Sequence, residues 1–465
     1  MSERPSNPQY ATPPRLTYRP PPELTSLCIR IIIVSTVAAL TGFILRQNPY
    51  HGANDYSRWN TVYALVHHNS YKIDLEDWGT SEDWPTFNDE GPFLTIDKVR
   101  RDGHFYSSKP PLLPTVAAAV YKLLHVTTGT RIWYPPDTQA GRSDHIAGRA
   151  VLLVVNVLPL LFFLIYYAKL LRQLQFNEYT RLFCVCVAAG GTFLTAYCVT
   201  FTNHAVAAFL FFFATYNIIQ VYFLEKPRPI HYAAAGFFAA LATTFELPGA
   251  IFGLATFFLL FFKSPSNTFK YYVVPALIPI GAFFYTNYLA TGGIKPYYAY
   301  FGTEYYEYKS DSHWSDPPGI DGLHQDKWTY FTHMTVGHHG IFSLTPIFVF
   351  AVIGLLIPFR RSLKLLLPIQ MAALLSTIAC LVWFTFYTTN YSGMSHGLRR
   401  TFWLIPLWLI AMPPVLEWLI RNAFGRALVW TCLVFSVASV GYSVRVPWGR
   451  AWIFELMWYM KWVDY

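Results

Sequence analysis

Apolar residues in this chain gather into long unbroken runs, not into the one-sided stripes of a soluble helix. A helix needs about 20 consecutive apolar residues to cross a bilayer. Runs near that length recur at 25–46, 148–171, 182–202, 204–224, 231–247, 249–262, 271–290, 340–358, 364–387, 401–419 and 427–444, and predict about eleven transmembrane helices within a domain spanning 25–445. The first run is too long and too far into the chain for a cleavable leader. Residues 1–24 are proline-rich and read as a disordered cytoplasmic tail. In the polar stretch that follows, Trp59, Val62, Tyr63 and Val66 recur at i, i+3, i+4 and i+7, which predicts an amphipathic helix with Asn54 or Asp55 at its N-cap. Asp102-Gly103, between two short alternating runs, predicts a hairpin. Pro110-Pro111 then opens an apolar run to 127, expected to lie in the membrane interface as an amphipathic or re-entrant helix.

Composition agrees with a polytopic membrane protein of all-α class. Of 465 residues, 54% are hydrophobic and only 13% charged, about half the charged fraction of a soluble domain. A soluble enzyme, a disordered scaffold and a nucleic-acid-binding domain are excluded. The net charge of +9 comes from short basic clusters between apolar runs, such as Lys169/Arg172, Lys226/Arg228 and Arg421/Arg426. If the tail is cytoplasmic and 110–127 does not cross, every short cytoplasmic connection is basic, as the positive-inside bias requires. The loops 47–147, 291–339 and 388–400 and the C-terminal segment 446–465 then share the extracytoplasmic face of the cell membrane. All six cysteines fall in apolar segments and read as buried hydrophobes, with no disulfide framework.

Large polar loops on one face, above embedded helices, suit chemistry on a lipid-borne substrate. A transporter would show more ionisable groups at mid-span; Glu246, the main candidate, falls near the outer boundary in this topology. Two constellations in the first loop carry candidate chemistry. Asp55, in Asn54-Asp55-Tyr56-Ser57-Arg58-Trp59, is either a helix cap or a catalytic acid. Lys109, ahead of Pro110-Pro111, is either a snorkelling interfacial lysine or a contact for a lipid phosphate. Arg399 and Arg400 have the fork geometry that suits phosphate oxygens, although arginines at an interface are common. The acidic stretch 74–92 either binds a cation or is solvated. His338 and His339 are metal-ligand types, but no partner spacing completes a set, so no cofactor is expected and no metal is assigned.

Asp55-Tyr56-Ser57-Arg58-Trp59 and Tyr106-Ser107-Ser108-Lys109-Pro110-Pro111-Leu112 together resemble the first external loop of GT-C glycosyltransferases. The branch in question holds the protein O-mannosyltransferases and lipid A aminoarabinose transferases, with an Asp-Glu-x-Arg-[Tyr/Trp] motif followed by Tyr-x-x-Lys-Pro-Pro-Leu. Looser similarity to bacterial members runs through Gly148-Arg149, Glu246-Leu247-Pro248-Gly249, Gly337-His338-His339-Gly340 and Ser395-His396-Gly397-Leu398-Arg399-Arg400. The chain departs from the pattern at Tyr56, where the family has a second acid. The resemblance implies inverting transfer of a sugar from a polyprenyl-phosphate donor to a lipid, glycan or protein acceptor at the outer face. Asp55 would be the general base; Lys109, Arg399 and Arg400 would hold the donor phosphate; Arg58, Tyr106 and His338 would support them. The implied partners are donor, acceptor and membrane lipids, with no nucleic acid. A lipid-linked-sugar transporter or flippase, or a non-catalytic membrane scaffold, are the alternatives.

Overall fold

The computed structural model describes residues 22–74, 95–132, 145–308, 312–357, 361–388 and 390–465. The expected N-terminal tail and, beyond Asp74, the acidic stretch lie outside the described residues. Apart from one two-stranded hairpin, the described secondary structure is helical, and each predicted apolar run is found in one or more helices.

Among the described residues, six helices are long and apolar enough to cross a membrane: Glu23–Arg46, Ile146–Gln173, Asn203–Phe223, Pro265–Thr291, Lys364–Tyr387 and Ala423–Ser443. Two bent pairs raise the count to eight if each is one span: Glu178–Gly190 with Phe193–Val199, and Arg399–Ala411 with Pro413–Leu419. Their bends fall at Gly190-Gly191 and at Pro413-Pro414, the residues expected to break a helix. By length and composition, six to eight spans are thus found among the described residues, where eleven were expected. Pro229–Phe245 and Leu247–Lys263, of 17 residues each, lie at the lower end of the crossing range, and the run at 340–358 divides into Ile341–Leu344 and a nine-residue helix, Phe348–Leu356. At 1.5 Å per residue, nine residues cover roughly half of a hydrocarbon core. The molecule is a multi-pass helical membrane protein.

Asn203–Phe223 is the central helix. Phe209, Phe211 and Phe212 on it are fully buried, against Phe163 on one side and Trp403 on another. It packs along Pro229–Phe245, which in turn lies against Pro265–Thr291. That second contact is close because Gly236 has no side chain; a Cβ there would run into the Tyr272 carbonyl oxygen.

The first loop builds a small platform. Ala53–His67 is helical as predicted, but its N-cap is Gly52 and no side chain caps it, so neither Asn54 nor Asp55 does so. Lys98–Arg101 pairs antiparallel with His104–Ser107. Asp102 and Gly103 both have positive φ, the primed turn that matches the twist of a hairpin. Leu112–Thr128 follows and buries Leu112, Leu113, Ala117, Ala118 and Tyr121 along one side, with Val116, Leu123 and Val126 exposed. It packs on Ala53–His67, where His67 Nε2 lies 2.7 Å from the Tyr121 hydroxyl. The second large loop is tied to this platform: Arg100 N–H donates to Tyr305 O at 2.9 Å, and the Trp314 indole donates to Ile96 O at 2.9 Å.

Gly236→Ala is expected to destabilise the protein by about 1–3 kcal/mol, because the obstructing atom is backbone and cannot rotate aside. Thermal unfolding in detergent checks this. An unchanged Tm would mean that these two helices do not pack as closely as described.

Candidate active site

The aromatic face of Ala53–His67 fixes the site. Trp59 and Val62 are fully buried, and the Trp59 ring lies 4.6 Å from Phe201 and edge-on to Tyr50 at 5.4 Å. This packing sets the first helical turn against the linker that leads into Asn203–Phe223. The Phe201 backbone N–H then donates to Asp55 Oδ2 at 3.1 Å. From the other side the Trp448 indole N–H donates to Asp55 Oδ1 at 3.0 Å. Trp448 is held in place by its neighbour: Tyr197 Oη lies 3.1 Å from the carbonyls of both Pro447 and His396, and His396 N–H donates to Pro447 O at 3.0 Å. Asp55 is 0% exposed. Burial pushes its carboxyl up to about 7, against the pull of the Phe201 N–H, Arg58, the Trp448 N–H and Arg399. A carboxyl poised there exchanges a proton near neutrality.

Two guanidinium groups flank it. Arg58 is buried, with Nη1 donating to Asn54 O at 2.9 Å and to the Asn54 side chain, and Nη2 donating to Asn203 Oδ1. Burial lowers it to about 10, so it stays charged at neutral pH. Arg399 stacks 4.6 Å over the Trp448 ring, and its Nε donates to Ser392 O at 3.1 Å. Ser392 and Gly393, both at positive φ, form the turn that presents that carbonyl.

Lys109 is not a free interfacial lysine but is paired with a carboxylate. Its Nζ lies 2.7 Å from Asp97 Oδ1. Asn54 Nδ2 donates to Asp97 Oδ2 at 3.3 Å, and Ser57 Oγ donates to Asp97 O at 2.6 Å. Burial lowers the Lys109 ammonium to about 8, with Asp97 opposing the fall. Burial alone would raise Asp97, but Lys109, Arg399 and Arg58 hold it below the usual carboxylate range. Beside this pair, Arg58, Asn203, Pro110, Leu113, Thr244 and Phe245 surround a narrow gap too small to hold a water molecule.

Asp55, Arg58, Arg399 and the Lys109–Asp97 pair therefore form one polar cluster. Three other sequence candidates lie apart from Asp55. Tyr106 packs 5.5 Å from Tyr297 in a group of tyrosines. Arg400 donates to Asn390 Oδ1 at 3.1 Å and lies over the Phe384 ring. His338 contacts His339 and lies 2.7 Å from the Tyr465 hydroxyl. Burial, with His339 and His333 nearby, holds His338 neutral. Among the described residues no group of three or more His, Cys, Asp or Glu is arranged to hold a metal ion.

Sequence reasoning missed Asp97, Asn203, His204 and Trp448, and placed Glu246 at a boundary without a role. Asp97 had a legible signal: the register that pairs Lys98 with Ser107 brings Asp97 beside Ser108 and Lys109. Nothing in the pattern marks Trp448.

No protein-family model matches the sequence, and no curated protein matches it. Among solved structures, the chain is similar to an oligosaccharyltransferase of Archaeoglobus fulgidus in its apo form, with 12% identity and a TM-score of 0.48 over 93% of this chain and 57% of that one. It is similar also to the archaeal oligosaccharyltransferase AglB of that organism in complex with an inhibitory peptide and a dolichol-phosphate, with 11% identity and a TM-score of 0.48 over 94% of this chain and 58% of that one. The chain spans a little over half the length of these proteins. At this identity and score the likeness assigns neither a site nor an activity.

Trp448→Phe keeps a ring against Arg399 but deletes the N–H that stabilises the Asp55 carboxylate. The protonation midpoint of Asp55, read by infrared difference spectroscopy, is expected to rise from about 7 to roughly 8 or above. A midpoint that stays or falls would detach Trp448 from the state of Asp55.

Proposed function

We propose that this chain is a GT-C glycosyltransferase that moves a sugar from a polyprenyl-phosphate donor to a hydroxyl-bearing acceptor at the outer face of the membrane. The observation that carries the reading is the Asp55 carboxyl, buried and poised near neutrality beside Arg58 and Arg399, which also act on the Lys109–Asp97 pair. The acceptor oxygen attacks the anomeric carbon and gives its proton to Asp55. The bond from that carbon to the phosphate oxygen breaks, and the polyprenyl phosphate leaves with the electron pair. One in-line displacement with inversion needs only a base for the acceptor and cations for the departing phosphate, without a covalent intermediate. The departing phosphate gains a negative charge, which preorganised cations in a site shielded from water stabilise best. General-base help of this kind is worth typically 10²–10⁴ in rate.

The other residues take supporting parts. Asp97 keeps Lys109 in place until a phosphate oxygen competes for it. Arg400 fixes the turn before Arg399 through Asn390, Tyr106 ties the hairpin to the second loop, and His338 anchors the C-terminal segment that carries Trp448. A lipid-borne leaving group accounts for a site built at the ends of apolar helices.

A structural role for Asp55 is the competing reading, favoured by its complete burial and the bond on each of its oxygens. A panel of radiolabelled polyprenyl-phosphate sugars, given to the purified protein in lipid with lipid, glycan and peptide acceptors, separates the two. Asp55→Asn is expected to remain folded and to lose transfer by roughly 10²-fold or more. Wild-type transfer in that variant, or no transfer by the native protein with any donor, would sink the proposal.

In the same assay Lys109→Ala should raise the donor KM by the loss of a charge-assisted bond, about 1.5–3 kcal/mol, and leave the acceptor KM nearly unchanged. A defect confined to the acceptor would put Lys109 on the wrong substrate.

A further inference from the structure

Glu246 sits at the break between Pro229–Phe245 and Leu247–Lys263, is 5% exposed, and has no part in the proton transfer above. Its Oε2 accepts twice, from Asn203 Nδ2 at 2.8 Å and from His204 Nδ1 at 2.5 Å. Each of those side chains touches one of the two guanidinium groups beside Asp55. Asn203 Oδ1 accepts from Arg58 Nη2, and His204 Nε2 lies 3.4 Å from Arg399 Nη1.

Donor and acceptor chemistry leaves one arrangement for this chain of contacts. A carboxylate only accepts and a guanidinium only donates. His204 must therefore carry its proton on Nδ1, facing Glu246, and keep a bare lone pair on Nε2, facing Arg399. The Asn203 amide is fixed in the same way. Its Nδ2 faces two acceptors, Glu246 Oε2 and Phe245 O, the latter at 2.8 Å, so its oxygen must point at Arg58. Without the Glu246 oxygen, the His204 ring could carry its proton on Nε2 and present a donor to a donor, and Asn203 would lose one of the two partners that set its orientation.

We infer that Glu246 is a positioning residue: by fixing the tautomer of His204 and the orientation of Asn203, it aims Arg399 and Arg58 together at a single anionic group, the phosphate of a polyprenyl phosphate. The choice of that ligand rests on the proposed transfer reaction; the tautomer and the amide orientation do not. The relay requires an oxygen acceptor at this position and does not require its charge. That separates it from a role for Glu246 as a counter-ion to buried arginines.

The test uses the full-length protein in lipid nanodiscs with ¹⁵N-labelled histidine, the His204 signal being identified by its loss in His204→Gln. The native protein should show His204 as the Nδ1–H tautomer. Glu246→Gln, whose amide oxygen can occupy the place of Oε2, should keep that tautomer, and Glu246→Ala should lose it. Binding of a sugar-free polyprenyl phosphate, followed by tryptophan fluorescence, should weaken by roughly tenfold or more in Glu246→Ala, with Glu246→Gln closer to the native protein than to the alanine variant. If Glu246→Ala does not fold, His204→Phe against His204→Gln asks the same question, because the glutamine amide can donate to Glu246 and accept from Arg399 while the phenyl ring does neither. An Nε2–H tautomer in the native protein, or a glutamine variant as impaired as the alanine one, overturns the inference. Failure of the native protein to bind the polyprenyl phosphate, with the tautomer as expected, overturns the transfer reading and leaves the relay standing.

Discussion

Keeping one carboxylate away from water organises this end of the bundle. An ionised carboxylate in a low-dielectric interior is expensive unless every strong interaction it loses to water is replaced. Asp55 obtains its replacements from far along the chain: the N–H of Phe201, 146 residues away, and the indole of Trp448, 393 residues away. Three segments with no local reason to meet are thereby fixed at one point. The aromatic contacts of Trp59 supply the burial, and the two N–H groups supply the direction. Neither would suffice alone, since packing without the donors would leave the carboxyl protonated, and the donors without packing would be exchanged for water.

The cations extend the same constraint outward. Arg58 is bonded at Asn54 and Asn203, and Asn203 and His204 meet on Glu246. Lys109 is held by Asp97, which is itself bonded to Asn54. A buried ion pair of this kind adds little net stability, because the loss of hydration offsets most of the Coulomb attraction. What it contributes here is position. Arg58, Arg399 and Lys109 are each bonded to other residues of the chain, so the fold itself sets where the charges lie.

Much of the platform was legible in the sequence. The 3.6-residue spacing of Trp59, Val62, Tyr63 and Val66 gave the helix, and Asp102-Gly103 gave the hairpin turn. The cap expected at Asn54 or Asp55 was not found, because an acid in a first helical turn has the same local signature whether it bonds its own helix or a distant N–H; tertiary partners decided it. The contribution of Phe201 is a backbone group, which no residue pattern can mark. Glu246 was read only as a residue near a membrane boundary, since its two partners open a helix more than forty positions earlier. The span count differs for a related reason: hydropathy registers that Pro229–Phe245 and Leu247–Lys263 are apolar, but not that each helix ends after 17 residues.

The electrostatic balance at Asp55 also bears on when the proposed base becomes effective. Burial raises its carboxyl, and Arg58 and Arg399 oppose that rise. A donor phosphate resting on those two guanidinium groups would cancel much of their opposition, and a carboxylate freed from nearby positive charge holds a proton more strongly. Donor binding would then strengthen the base at the moment the acceptor hydroxyl must be deprotonated. Before a donor arrived, the same two cations would keep Asp55 a weaker base, disfavouring activation of water or an acceptor with no sugar to receive it. On the proposed reaction, ordered transfer would follow from charge placement, without a moving part.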